Sequence, residues 1–261
     1  HITLHNVWFK IDIHSFCFCQ DISVSVEEAR ELEQNSRQQA HSACWHQGRL
    51  HRLTSSCFGQ VTRRTEWSEK GLRNLIEPKD LSPVRAIQYG RKNEGPAAER
   101  YAEAMKRCGY DVSLRHSGLI VHPGCPWLGA SPDRFVYDPE ERTYGVLEIK
   151  CPYSLKDTDP DISTLQLSCL SVSENGEPSL KRNHEYYAQV VGQMALTGCQ
   201  WADFVVFSKN WIAIERIRFD EHAWRDMKSK LDKFYFSPYA SLHCEEPAAS
   251  ALTVCYVFTK M

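Results

Sequence analysis

Ser131-Pro132-Asp133 and Glu148-Ile149-Lys150, with fourteen residues between them, bring together two carboxylates and an ammonium. Tyr144 to Lys150 reads as a strand, in which alternate side chains share a face. Glu148 and Lys150 then point together while Leu147 and Ile149 point into the core. Phe135-Val136-Tyr137 reads as a second strand, joined to the first by a turn at Asp138-Pro139-Glu140. Closing that hairpin sets Asp133 beside Glu148, with Lys150 next to both. Such a set suits phosphodiester chemistry. A hard divalent cation takes one or two carboxylates plus waters and phosphate oxygens. It stabilises charge on the phosphate and acidifies a bound water. The lysine can orient or deprotonate that water, or neutralise the charge that develops. An isolated Glu-x-Lys is usually an ion pair on a solvated sheet face; the Ser-Pro-Asp and the hairpin argue against that reading here.

The surrounding pattern supplies the elements that would position these groups. Ser25-Val26-Glu27-Glu28 is a capping box opening a helix to about Gln39. Trp45 to Arg52 is helical, and Thr54-Ser55-Ser56 caps the next short helix. Ser82-Pro83 begins a helix towards Tyr89, and Pro96 begins another that Gly109 stops. Leu119-Ile120-Val121 reads as a strand, and the polar stretch 155–183 as a long excursion or mobile loop. A helix from about Glu185 to Leu196 puts Tyr187, Val190, Val191 and Met194 on one face and a polar stripe of Tyr186, Gln189 and Gln193 on the other. Trp201–Phe207 and Trp211–Phe219 form a hairpin, and Asp220 caps a helix carrying Trp224, Met227 and Leu231. Helices first and a strand-rich core after them imply an α/β fold, a mixed central sheet flanked by helices with a helical N-terminal part.

Composition narrows the class. Hydrophobic residues make up 42% of the 261 and charged residues 25%, as in ordinary globular proteins. No apolar run approaches the roughly 20 residues that span a bilayer, and His1 to Cys19 lack the basic-then-apolar order of a signal peptide. A start at His1 is read as a piece of a longer protein. Eleven scattered cysteines without a CxxC pair are expected to be reduced thiols in an intracellular, reducing compartment. Net charge is −2, but between Arg49 and Lys92 ten Lys or Arg face four acids, so this segment is +6 and the remainder −8. A polyanion-facing surface and a merely solvated basic face explain that asymmetry about equally.

The motifs together resemble a known family. Leu128-Gly129-Ala130-Ser131-Pro132-Asp133 and Leu147-Glu148-Ile149-Lys150-Cys151-Pro152 resemble the lambda-exonuclease-like YqaJ branch of the PD-(D/E)xK nucleases. Tyr89-Gly90-Arg91-Lys92-Asn93-Glu94 resembles the family's upstream helix, whose glutamate helps hold metals. Tyr186-Tyr187-Ala188-Gln189 resembles its downstream helix, whose glutamine approaches the active centre. Trp45-His46-Gln47-Gly48-Arg49 with Thr54-Ser55-Ser56 resembles the segment that meets the DNA end and its 5′-phosphate. The likeness covers roughly residues 45–219. Two departures stand out. Arg134 replaces a frequent glycine after the aspartate and would add a phosphate contact, and Val191 stands where a second glutamine is frequent.

The resemblance implies a restriction-endonuclease-like core and a metal-dependent DNA exonuclease, acting from a duplex end, 5′ to 3′, with a 5′-phosphate preference. Glu94, Asp133, Glu148 and the Ile149 carbonyl would hold Mg²⁺ or Mn²⁺, with Lys150 and Gln189 assisting. Arg49, Ser56 and Arg134 would bind DNA, and a homo-oligomer, a trimer, is implied as well. An endonuclease or branched-DNA nuclease on the same core, and a catalytically dead DNA-binding or recruiting module, are the alternatives. Expected boundaries are an N-terminal extension over 1–44, the nuclease domain over 45–235, and a C-terminal extension over 236–261 packing on the same domain.

Overall fold

In the computed structural model, which describes residues 6–12, 22–76, 83–159, 161, 169–236 and 251–257, the first segment is a strand, β1 (Asn6–Asp12). The helical N-terminal part starts at the predicted capping box. Glu28 N–H donates to Ser25 Oγ (3.1 Å) and Ser25 N–H to Glu28 Oε2 (2.7 Å), opening α1 (Val26–Asn35). The helix ends before Gln39 because Ser36 turns its hydroxyl back on Leu32 O and accepts from Leu119 N–H, tying the chain to the sheet side. Then follow α2 (Ala43–Arg49), β2 (Leu53–Thr54), α3 (Ser55–Thr62) and α4 (Glu69–Ile76). Thr54 is the N-cap of α3 but makes no side-chain cap; its Oγ1 lies 3.2 Å from Ser56 Oγ.

Where the sequence predicts two helices there is one, α5 (Arg85–Arg107), with Pro96 in its interior; Ser82 lies outside the described residues. Proline disfavours a helical residue before it chiefly through a clash with that residue's Cβ and N–H. Gly95 has no Cβ, so that part of the clash is absent and the helix continues through Pro96 without the hydrogen bond that its missing N–H would make.

The strands are β3 (Ser113–His116), β4 (Ile120–Val121), β5 (Leu128–Ala130), β6 (Arg134–Asp138) and β7 (Thr143–Lys150). Part of the expected excursion is a hairpin, β8 (Leu170–Val172) with β9 (Pro178–Leu180), so that expectation is corrected; residues 160 and 162–168 lie outside the described residues. Glu215 Oε2 accepts from Leu180 N–H and Oε1 from Arg182, which anchors this hairpin on a neighbouring strand. The chain continues as α6 (Glu185–Thr197), β10 (Trp201–Phe207), β11 (Ile212–Arg218), α7 (Glu221–Phe234) and β12 (Ala251–Val257), which pairs with β1. Of the expected C-terminal extension, residues 237–250 and 258–261 lie outside the described residues. Among those residues, no helix is long and apolar enough to cross a membrane.

The central sheet has five strands in the order β11-β10-β7-β6-β3, with β7–β10 parallel and the other pairs antiparallel. Parallel neighbours need a crossover, and α6 lies within it. Alternation along β7 sends Leu147 and Ile149 to one face, where Ala97, Ala98, Tyr101 and Met105 of α5 cover them. Val146 joins Val190, Val191 and Met194 of α6 on the other. Val191 is thus a core residue. The mixed sheet between helices is the fold expected from the sequence.

Helix α3 lies against α6 without an intervening side chain at Gly59, where an added Cβ would stand 2.6 Å from Glu185 Cα. Gly59→Ala must therefore separate two backbones, at a cost of about 1–3 kcal/mol. Urea unfolding measures it; an unchanged midpoint would show that α3 slides freely.

Candidate active site

Asp133 immediately precedes β6. Its N–H donates to Leu147 O (3.1 Å), and its Oδ2 accepts from Ile149 N–H (2.6 Å), fixing the carboxyl against the end of β7. The loop before it is braced by the N-terminal helices. Trp45 Nε1 donates to Ser131 Oγ (2.9 Å), and Gln39 Nε2 to Pro132 O (2.9 Å) and Ser117 O (3.0 Å).

Glu148 is 3% exposed. Its Oε1 accepts from Lys150 Nζ (2.6 Å) and Gln189 Nε2 (2.6 Å), and its Oε2 from Gln193 Nε2 (2.6 Å). Lys150 Nζ also donates to Gln189 Oε1 (3.0 Å) and lies 4.4 Å from the Tyr186 ring centroid. The polar stripe of α6 therefore faces inward onto β7, and an ion pair on a solvated sheet face is excluded. Gln193 shares the polar stripe with Gln189 but has no role in the sequence pattern, and nothing in the pattern marks Gln39. One helical turn between Gln189 and Gln193 was the available sign for the former.

Charge is concentrated here. The Asp133 carboxyl is raised well above the usual carboxylate range, first by burial and then by Glu148 and Glu94, against the opposing pull of Lys150 and the Ile149 N–H. Part of the residue's surface remains accessible, but the carboxyl itself is enclosed by these neighbours. Burial would lower the Lys150 pKa, yet Glu148 and Asp133 outweigh it and the net shift is upward, so the group is an ammonium. Glu94, on α5, accepts from Arg134 Nη1 (2.8 Å), which also donates to Asp133 O. A cleft of 370 Å³ opens on this cluster, lined by Arg91, Glu94, Ile149, Lys150, Tyr153 and Tyr186 among others.

No three His, Cys, Asp or Glu side chains among the described residues form a ready metal cage. The donors that do converge are hard oxygens, and Asp133 is raised first by burial and then by the two neighbouring carboxylates, an arrangement that a bound cation would relieve. That chemistry fits a hard divalent ion, which needs few protein ligands, and does not fit the Cys and His set of structural zinc.

Arg49 connects to this cluster through Trp45, whose Nε1 donates to Ser131 Oγ, and Ser56 Oγ lies 3.2 Å from Thr54 Oγ1. The Arg49 guanidinium stacks 4.1 Å from the Trp45 ring centroid, and burial lowers its pKa. Among the described residues it has no ion-pair partner. Arg52, by contrast, donates to Ile22 O, Gly48 O and Pro126 O and serves the fold.

A carboxylate before one strand, a Glu-x-Lys ending its antiparallel neighbour and flanking helices bearing Glu94 and Gln189 define a nuclease of the restriction-endonuclease-like class. The model of the YqaJ-like viral recombinase domain matches residues 44–200, and the chain belongs to that family. An alkaline exonuclease (LHK-Exo) from Laribacter hongkongensis is similar, at 25% identity and a TM-score of 0.54 over 76% of this chain and 92% of that one. The Shutoff and Exonuclease Protein from Kaposi's sarcoma associated herpesvirus shares the fold at 13% identity, TM-score 0.55, over 82% of this chain and 72% of that one. The same viral protein in complex with DNA matches at 12% identity and the same TM-score, covering the same shares of the two chains. A comparison with curated proteins found no match.

Proposed function

We propose that this nuclease is a metal-dependent exonuclease that degrades DNA from a duplex end, 5′ to 3′, with a preference for a 5′-phosphate. The observation that carries the reading is the enclosed cluster of Asp133, Glu148 and Lys150, clamped by Gln189 and opening on a cleft that Glu94 also lines. The similarity to an alkaline exonuclease supports action from an end. Glu94, Asp133, Glu148 and the Ile149 carbonyl would hold Mg²⁺ or Mn²⁺, which when bound supplies an acidified water and charge stabilisation at the phosphate. Lys150, held as an ammonium, orients the attacking water and offsets charge developing on the phosphate. Gln189 and Gln193 keep the Glu148 carboxylate in one orientation.

End-labelled linear duplex, with and without a 5′-phosphate, and a closed circle of the same sequence test this reading. Mononucleotides released progressively from the 5′ end, with the circle intact, are expected. Linearisation of the circle would replace the reading with an endonuclease on the same core.

Arg49 is assigned to the terminal phosphate because its guanidinium stacks on Trp45 and, among the described residues, has no anion to satisfy it. A planar fork binds phosphate bidentately, and a lysine does not reproduce that geometry. Arg49→Ala is expected to slow digestion of 5′-phosphorylated duplex about ten-fold, the scale of a lost charged hydrogen bond, and of 5′-hydroxyl duplex little. The ratio of the two rates at one ionic strength is the measurement. An unchanged ratio assigns Arg49 to general charge attraction instead.

A further inference from the structure

Among the described residues, the three carboxylates of the cluster differ in what they hold, and Glu94 is the one that lines the cleft. Glu148 is engaged by Lys150, Gln189 and Gln193. Glu94 is engaged by Arg134. Asp133 accepts a backbone N–H on Oδ2 and has no side-chain donor. A divalent cation arriving at this arrangement meets one carboxylate unencumbered by side chains, the lower end of the one or two that Mg²⁺ takes, and releasing Glu94 would supply the second. The Arg134 side chain is 13% exposed and bridges Glu94 to the Asp133 carbonyl, so it lies within the cluster. The Glu94 side chain, at 34%, has room to move. In formal charge, three acids against Lys150 and Arg134 leave −1, and withdrawing Arg134 leaves −2.

We propose that Arg134 is a substrate-operated gate on Glu94. In the free protein it holds the Glu94 carboxylate; a nucleic-acid phosphate entering the cleft takes the guanidinium, and Glu94 is released to bind metal. Carboxylate and phosphate are interchangeable partners for this fork, so the exchange conserves its hydrogen bonds. Metal and nucleic acid then bind with a coupling that acts equally in both directions. The inference rests on the nuclease reading above and adds the order in which its site assembles.

Calorimetric titration of the full chain with Ca²⁺, alone and with a short 5′-phosphorylated duplex, provides the test. Without DNA, Arg134→Gln is expected to bind Ca²⁺ about ten-fold more tightly than wild type, within the usual range of such couplings. With DNA bound, the two should agree within two-fold. In a Glu94→Gln background the gain from Arg134→Gln should vanish, because no ligand is then being released. An equal gain in both backgrounds would mean that Arg134 only repels the ion by its charge, and the gate falls. No gain at all also overturns it. Arg134→Lys, whose single charge cannot bridge both acceptors, repeats the experiment should the glutamine variant not fold, and an intermediate gain is expected. A wild-type protein that binds neither Ca²⁺ nor DNA overturns the nuclease reading itself. A protein that cleaves DNA normally while the cycle shows no dependence on Glu94 overturns the gate alone.

Discussion

Lys150→Ala is expected to cut linear duplex about 10²-fold or more slowly than wild type, the scale of removing one preorganised electrostatic stabiliser. Affinity for DNA should stay near its wild-type value. The ammonium lies 2.6 Å from Glu148 and 3.0 Å from Gln189, so its charge is spent inside the cluster and contributes little at the protein surface. Removing it leaves Asp133 and Glu148 without the cation that most directly opposes them, and that deficit is largest when the phosphate gains charge. Asp133 and Glu148 keep their other donors, from the Ile149 N–H and from Gln189 and Gln193, so metal-binding groups remain in place. Single-turnover rates with saturating protein separate chemistry from binding, and filter binding in Ca²⁺ measures affinity. A variant that cuts like wild type would reduce Lys150 to an ion-pair partner of Glu148. A variant that loses affinity and rate in equal measure would place Lys150 in substrate binding.

The carboxylates and the lysine were legible because strand periodicity is local. Two residues apart on β7 means one face, and a hairpin with a short turn returns Asp133 to that strand. What the period does not give is which side of the sheet is covered. Glu148 looks solvent-facing in a reading confined to its own strand, and only α6, arriving 35 residues later in the chain, buries it. Gln39 was invisible for the same reason on a longer scale: it takes a φ of 44° and reaches Pro132, 93 residues away. The reading of Pro96 as a helix start failed because the residue before it is glycine, which removes part of the clash that ends most helices at such positions. Arg134 stands out in the sequence as a departure suited to a phosphate, but its contact with Glu94 follows only from α5 lying beside β6.

Removing divalent ions with excess chelator is expected to reduce cleavage to the uncatalysed background, and added Mg²⁺ or Mn²⁺ to restore it. The protein side of the site explains why. Glu94 lines the cleft, Asp133 and Glu148 belong to the cluster on which it opens, and burial followed by Glu148 and Glu94 raises the Asp133 carboxyl against the opposing pull of Lys150. A phosphodiester anion approaching such a cluster is repelled unless further positive charge is present. Mg²⁺ suits the role because it binds through one or two carboxylates and keeps the waters from which a nucleophile derives. Ca²⁺ accepts the same ligands at longer distances and in looser geometry, so it should bind and hold DNA without supporting turnover. Zn²⁺ lacks the Cys and His ligands it favours; none cluster for it among the described residues. Rates measured after chelation and stepwise return of each ion decide the matter. Full activity in chelator would remove the metal from the mechanism and leave the charge at the phosphate to Lys150 and the neighbouring arginines. Restoration by Zn²⁺ alone would mean that ligands beyond this cluster complete the site.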